Sequence, residues 1–317
     1  MKKAVIILSI ILLTTSGCGQ RSNKQGNTTD NKDVCEQSNI GKNQVDLFFP
    51  LNNEFEWANI EKQDQELKTR FIKNLPDDFI EDILPGDFEF YTQYGGSISN
   101  LEAGLHIVDF NGDGLNDIIF NGYLGGEAEY IIIFINTGQS FAKIFTEIQK
   151  FHKVVFENGK VQKMYIQDGG CCCEYLLTNK IFNVDYRSDL PKINLISQMQ
   201  YLNNSVEKYP SSYFEKTIKF EVLNDKYNIR FSPIVDDTTQ VWYCGEPQNG
   251  NSLGKIKSGS IGYALAEKID TTGRVWWFVA LHPNSEIYEP IYYNNEISPN
   301  SYKLGWISSR FVKEIKE

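Results

Sequence analysis

The sequence predicts a mostly β protein of the α+β class. Aromatic residues make up 13% of the chain, and short runs of β-branched and aromatic residues alternate with Gly, Asn, Asp and Pro, a pattern typical of strands joined by turns. Helical periodicity is clear in one segment, residues 59–74. There Leu67, Phe71 and Ile72 share one helix face. Leu75-Pro76 ends this predicted helix, because the residue before a proline disfavours helical backbone.

The first 17 residues predict an export signal. Met1-Lys2-Lys3 precedes an apolar run over residues 4–13, which is too short to span a bilayer. The run leads into Gly17-Cys18, and small residues before a cysteine resemble the lipobox of bacterial lipoproteins. That resemblance implies that Cys18 is lipidated and begins the mature chain. Thr15 stands where the motif usually has Leu, so an ordinary secretory signal is the alternative.

Residues 18–45 predict a polar tether between the lipid and the folded part. Residues 19–33 contain no apolar side chain and therefore cannot bury a core. The basic residues Arg21 and Lys24 come before the first acid, Asp30. Because surface-exported lipoproteins carry acidic residues directly after the cysteine, this order favours the cell envelope at the outer membrane facing the periplasm. Surface exposure is the alternative.

An oxygen-rich loop lies between the apolar segments 105–108 and 118–120. It has oxygen-bearing side chains at alternate positions and Gly114 where such a loop turns most sharply. Oxygen ligands in a flexible loop favour Ca²⁺ over the stricter Mg²⁺. A turn rich in Asp, Asn and Gly that holds no metal is the alternative. The candidate ligands are the side chains of Asp109, Asn111, Asp113 and Asp117 and the carbonyl of Leu115.

The loop differs from an EF-hand, because its twelfth position is Phe120 and its flanks predict strands. The segment 105–141, including Phe134–Phe141, resembles the FG-GAP or VCBS-type calcium hairpin. The sequence contains a single copy, so a propeller of several blades is not expected. The resemblance implies one calcium-stabilised hairpin in an α+β domain over residues 46–213.

Four strand-like segments follow one another near the C-terminus: Val222–Pro233, Leu253–Gly259, Arg274–Ala280 and Gly305–Val312. In this order they resemble a bacterial SH3-like domain. The resemblance implies a small SH3-like β-barrel over residues 216–317 that binds cell-wall peptide or an envelope protein. This sequence departs from the family in an acidic insertion at 236–249 and a long excursion at 282–303.

Aromatic residues in this C-terminal unit indicate a candidate ligand platform. Trp276 and Trp277 are adjacent on a predicted strand, so one faces the core and the other faces outward. An exposed aromatic surface suits a peptide or a glycan. The alternative is that the excursion at 282–303 covers it. The candidate residues are Trp276, Trp277, Tyr263, Tyr292, Tyr293 and Trp306.

Cysteines other than the predicted lipidation site suggest disulfides. They are Cys35, Cys171, Cys172, Cys173 and Cys244. Export places them in an oxidising compartment, where disulfides form. Their odd number leaves at least one thiol unpaired within a monomer, and the spacing does not determine the connectivity. A bond between neighbouring cysteines and a zinc site are the alternatives.

Charge and motif content guide the functional expectation. The formal net charge of −10 opposes nucleic-acid binding. His106, His152 and His282 lack a recognisable peptidase context, and neither a Gly-x-Ser-x-Gly elbow nor a phosphate loop is present. We therefore expect a non-catalytic, lipid-anchored envelope protein. The alternatives are an inhibitor or immunity-type protein that blocks a secreted enzyme, and a cell-wall cysteine hydrolase using Cys171–Cys173.

Overall fold

Strands dominate the fold, as the sequence predicts. The computed structural model describes residues 56–75, 98–123, 129–167, 176–202, 209–243, 246–289 and 300–316. Within these ranges there are two α-helices and eighteen strands. The predicted signal and tether, all six cysteines, and the tyrosines at 292 and 293 lie outside the described residues.

The predicted helix exists but is shorter than the periodicity suggested. A 3-10 turn over Trp57–Asn59 precedes helix α1 (Gln65–Lys73). Asp64 sets the start of the helix, because its side chain accepts the Leu67 N–H at 3.0 Å. The buried residues of α1 are Leu67 and Phe71.

The first sheet is antiparallel and follows helix α2 (Ile98–Ala103). Its strand order is β1-β2-β3-β4. The strands are β1 (Leu105–Val108), β2 (Asp117–Tyr123), β3 (Glu129–Asn136) and β4 (Phe141–Glu147).

Both faces of this sheet are buried. On β3, Ile132 and Phe134 pack with α1, whereas Ile131 and Ile133 pack with strands from the second sheet. Alternating side chains of a strand point to opposite faces. Because both faces are buried, β3 is apolar at nearly every position. The first sheet is therefore sandwiched between a helix and a second sheet.

The second sheet begins with an antiparallel meander in the order β8-β7-β6-β5. Strand β8 also pairs in parallel with β17, through Tyr302 opposite Met199 and Lys303 opposite Gln200. The strands are β5 (Lys150–Glu157), β6 (Lys160–Gln167), β7 (Leu176–Asp185), β8 (Lys192–Leu202) and β17 (Tyr302–Ser308).

The remaining strands belong to the C-terminal part of the chain. They are β9 (Ile218–Val222), β10 (Tyr227–Arg230), β11 (Gln240–Tyr243), β12 (Glu246–Asn249), β13 (Ser252–Ile256), β14 (Ile261–Ile269), β15 (Val275–Leu281), β16 (Ile287–Tyr288) and β18 (Val312–Glu314). The main path runs β18-β9-β14-β15-β17, and β10, β13 and β16 continue beyond β17. Strands β11 and β12 form a separate hairpin within the predicted acidic insertion.

The C-terminal strands do not close into the predicted barrel. Among the residues that the structure describes, no pairing joins β16 to β18, so the sheet has open edges. Each of the four segments that carry the SH3-like resemblance nevertheless contains a strand: β10, β13, β15 and β17.

One core spans the predicted boundary near residues 213–216. Trp276, Phe278 and Trp306 pack against Met199 and Tyr201 of β8. The parallel pairing of β8 with β17 joins the same two parts of the chain. The segments on either side of the predicted boundary thus share one sheet and one hydrophobic cluster.

Replacing Phe71 by Ala tests the packing of α1 on the first sheet. Phe71 is fully buried, and its ring centroid lies 5.1 Å from that of Phe134 and 5.0 Å from that of Phe141. We expect the free energy of unfolding to fall by about 3–5 kcal/mol, because the variant leaves a cavity. Urea denaturation followed by circular dichroism measures this loss.

The matched control is Lys73→Ala, which removes an exposed side chain from the same helix. It should change the free energy of unfolding by less than about 1 kcal/mol. Equal losses in the two variants would contradict the packing described for α1.

Candidate functional site

The oxygen-rich loop, Asp109–Asp117, connects β1 to β2. Val108 lies opposite Asp117 in the antiparallel register, so the two ends of the loop are neighbours. Gly112 and Gly114 have φ values of 74° and 86°, which side chains with a Cβ rarely adopt. The flanking strands and the glycine-dependent turn follow the sequence expectation.

Asp109 organises the first half of the loop. Its Oδ1 accepts the Gly112 N–H at 2.8 Å, and its Oδ2 accepts the Gly114 N–H at 3.2 Å. Both glycine amides therefore point at one carboxylate. Each carboxylate oxygen has a second lone pair, so these bonds leave Asp109 able to ligate a cation.

Asn111 and Asp113 continue this pattern. Asn111 Oδ1 accepts the Asp113 N–H at 3.1 Å, and Asp113 Oδ1 accepts the Leu115 N–H at 2.7 Å. Asn111 Nδ2 also donates to Asp113 Oδ2 at 2.9 Å. The side-chain oxygens thus fold back on the backbone of the loop itself.

Asp117 is the buried residue of the set. Its Oδ2 accepts the Phe110 N–H at 2.8 Å, and its Oδ1 accepts the Asn136 N–H at 2.8 Å. The pKa of Asp117 is raised to about 7 despite these two bonds, chiefly by burial and in smaller part by the charges of Asp113 and Asp109. The charges of Asp109 and Asp113 therefore act on the buried Asp117, and a divalent cation would neutralise this repulsion.

Two neighbouring residues that the sequence reasoning missed attach the loop to α1. Asn116 Nδ2 donates to Asp64 Oδ2 at 3.0 Å, and Asp64 also caps the helix. A cap residue directly before an apolar helix face is the signal that could have found Asp64. The partner Asn116 had no signal beyond its place in the loop.

Asn136 joins the loop to β3. Its N–H bonds to Asp117, and its Nδ2 donates to the Asn116 carbonyl at 3.0 Å. Its Oδ1 accepts the Gly138 N–H at 3.0 Å. The resemblance over residues 105–141 included this asparagine but gave it no role.

Phe110 connects the loop to the second sheet. Its side chain is fully buried, and its carbonyl accepts the Val161 N–H at 2.9 Å and the Tyr186 hydroxyl at 3.1 Å. The Lys160 ammonium lies 4.3 Å from the centre of the Tyr186 ring. Burial, then the charges of Asp117 and Asp109, raise the pKa of Tyr186, so its hydroxyl remains protonated and able to donate.

The residue types of the loop suit calcium, but the arrangement of its side chains suits calcium less well. All five candidate ligands offer oxygen, as Ca²⁺ prefers. Across the described ranges, however, no three acidic, His or Cys side chains are grouped as metal ligands would be. Both oxygens of Asp117, predicted as a ligand, already accept backbone N–H groups. A bound ion would share these oxygens with the amides, because each carboxylate oxygen has a second lone pair.

Three members of the predicted aromatic platform are core residues. Trp276 and Trp306 are each 1% exposed and Tyr263 is 7% exposed. The indole of Trp276 donates to Asp270 Oδ2 at 2.9 Å. The sequence reasoning listed these rings as platform candidates and expected one of Trp276 and Trp277 to face the core; β7 and β8 contribute side chains that pack against all three rings.

Trp277 takes the opposite face, as the strand alternation predicts. It is half-buried, its ring centroid lies 6.0 Å from that of Phe220, and its Nε1 donates to Glu267 Oε2 at 3.2 Å. Of the predicted platform residues in the described part of the chain, Trp277 is therefore the one that is only partly buried.

The three histidines lie in separate places. His106 stacks on Trp57 with ring centroids 3.8 Å apart, its Nδ1 lies 3.4 Å from Glu61 Oε2, and burial lowers its pKa. His152 Nδ1 lies 3.2 Å from Gln167 Oε1. In the C-terminal unit, His282 Nδ1 accepts the Asn284 N–H at 3.3 Å.

Comparisons of the chain with protein-family models, curated proteins and solved structures gave no match. No helix in the described ranges is both long enough and apolar enough to cross a bilayer.

Asp117→Ala tests whether this carboxylate holds the loop in place. With calcium removed by chelator, the variant leaves the buried Phe110 and Asn136 amides without their acceptor. We expect the free energy of unfolding to fall by about 2 kcal/mol or more, given the cost of unsatisfied buried groups. Denaturant titration in chelator measures this loss.

Asp113→Ala is the comparison variant, because Asp113 is an exposed carboxylate in the same loop. Its loss in chelator should stay below about 1 kcal/mol. A smaller loss for Asp117→Ala than for Asp113→Ala would show that the buried carboxylate does not anchor the loop.

Proposed function

We propose that this protein is a non-catalytic, lipid-anchored component of the bacterial cell envelope. In this proposal its C-terminal SH3-like unit recognises cell-wall peptide or an envelope protein. The loop Asp109–Asp117 binds Ca²⁺, which stiffens the scaffold. One observation supports a structural role for the ion: this single loop forms hydrogen bonds to α1, β3 and the second sheet.

The position of the loop favours a structural ion over a reactive one. Asn116 reaches the helix cap, Asn136 belongs to β3, and Phe110 contacts β6 and the residue after β7. An ion among Asp109, Asp113 and their neighbours would stabilise the place where these elements meet. Extracellular calcium modules work with a Kd of about 10⁻⁴–10⁻³ M, which suits an envelope protein.

The chain supports envelope location through its N-terminal sequence and recognition through its C-terminal strands. The basic start, the apolar run and Gly17-Cys18 are features of a lipidated export signal. Strands β10, β13, β15 and β17 overlap the four segments that resemble an SH3-like domain. Trp277 offers a partly exposed indole on this unit, and such a ring suits contact with a peptide.

A second candidate function is inhibition of a secreted enzyme. The formal net charge of −10 would attract a basic target, because complementary charge raises association rates. In this alternative the C-terminal unit would cover the target enzyme instead of contacting the cell wall.

Calcium should raise the thermal stability of the protein. We expect millimolar CaCl₂ to increase the Tm by about 2–5 °C over the value in chelator, because a ligand that binds only the folded state stabilises it. Asp113→Ala should remove this response, whereas Asp189→Ala, an exposed acid in another loop, should keep it. Differential scanning fluorimetry measures these shifts. An unchanged Tm of the unaltered protein in calcium would sink the structural-ion proposal.

Retention on cell walls separates the two candidate functions. The protein with Cys18→Ser, which prevents lipidation, is incubated with purified sacculi and, in parallel, with envelope lysate. Retention by bare sacculi is the expected result, because the proposed ligand is cell-wall peptide. Capture of one stoichiometric enzyme from the lysate, without sacculus binding, would favour the inhibitor. Binding in neither arm contradicts both proposals. An acidic protein of similar net charge serves as the control.

A further inference from the structure

A cavity of about 560 Å³ lies in the C-terminal unit, beside β9 and β14. This volume falls within the range of small-molecule sites. The register places Lys219 opposite Tyr263, so these two lining residues are neighbours on adjacent strands. The lining residues are Lys219, Lys257, Ser258, Gly259, Ser260, Ile261, Tyr263, His282, Asn284, Ser285 and Glu286.

The walls of this pocket are held in place by the surrounding strands and turns. Tyr263 is buried and forms part of a hydrophobic cluster. Ser285 Oγ donates to the Ile261 carbonyl at 3.0 Å, and the Ser285 N–H donates to the His282 carbonyl at 2.8 Å. The Gly259 N–H bonds to the Val222 carbonyl at 2.8 Å. A ligand would therefore meet a preformed site.

Positive groups gather at this pocket in an otherwise acidic protein. Lys219 lines it, and no described residue forms a salt bridge with Lys219. The nearby Lys303 is buried, and its Nζ donates to the Pro283 carbonyl at 2.9 Å. Burial lowers the pKa of His282, and the charges of Lys303 and Lys219 lower it further. Burial also lowers the pKa of Lys303 to about 8.

The acidic lining residue already has a partner. Glu286 Oε2 lies 3.2 Å from Lys257 Nζ, and both side chains are more than half exposed. Asp225 Oδ1 accepts the Ser258 N–H at 3.4 Å. Glu221 lies two residues from Lys219 on β9, opposite Ile261, but forms no salt bridge with it. Among the described residues, no carboxylate lies within ion-pair distance of the Lys219 or Lys303 ammonium group.

We propose that this pocket binds the oxyanion of a small ligand, a carboxylate or a phosphate, with Lys219 as the principal contact. His282 supplies a hydrogen-bond donor: since its Nδ1 accepts the Asn284 N–H, the neutral ring carries its proton on Nε2. The buried Lys303 ammonium adds positive potential near His282. A charge-assisted bond between an ammonium and an oxyanion is stronger than a neutral one. This site goes beyond the proposed function and does not depend on it or on calcium.

The test titrates the full mature protein, carrying Cys18→Ser, with N-acetylglycine in one arm and methyl phosphate in the other. Ionic strength is held constant with NaCl. Isothermal calorimetry gives the affinity, and the ring resonances of His282 report binding at the pocket. We expect saturable one-to-one binding of at least one probe, with a shift of the His282 signals. Preference for the first probe indicates a carboxylate ligand, and preference for the second indicates a phosphoester.

Lys219→Gln removes the charge but keeps much of the side-chain stem. It should weaken binding of the preferred probe by about tenfold or more. Lys268→Ala, which removes an exposed lysine from β14, should leave the affinity within about twofold, as expected for weakly coupled surface charges. Unchanged His282 signals in the unaltered protein, or equal loss in the two variants, overturns the anion site. Sacculus retention without anion binding would leave the proposed function standing.

Discussion

The buried carboxylate of Asp117 is the constraint on which the rest of the loop region depends. It lies at the start of β2, and its two oxygens accept the amides of Phe110 and Asn136. One bond closes the loop on itself and the other joins β2 to β3. A charged group in this position is costly unless it is bonded or neutralised. The asparagine at the end of β3 supplies one of the two donors to the Asp117 carboxylate, whereas the charges of Asp113 and Asp109 oppose its ionisation.

Local patterns in the sequence predicted much of this region. The alternation of Asp and Asn around Gly114, with β-branched residues on both sides, was sufficient to place a strand-flanked loop at residues 109–117. The helix face of Leu67 and Phe71 was equally visible. Its start at Gln65 was not, because capping by Asp64 competes with the apolar periodicity that extended the prediction to residue 59.

The features that the sequence did not predict depend on pairing between strands that are far apart in the chain. The parallel contact of Tyr302 with Met199 brings β7 and β8 over the face that carries Trp276 and Trp306. Rings that a local reading assigned to an exposed platform are therefore buried. The same dependence on tertiary structure hides the pocket near Lys219, because its walls come from three separated segments. No spacing rule connects Lys219 to His282 before the strands are paired.

The central claim is that Ca²⁺ binds the loop and stiffens its attachment to the sheet. Amide hydrogen exchange measured by NMR, with and without calcium, tests this claim most directly. The Phe110 and Asn136 amides should exchange more slowly in calcium, because the ion stabilises the carboxylate that accepts them, whereas amides of β15 should change little. Equal exchange rates of the Phe110 and Asn136 amides in calcium and in chelator would contradict the account.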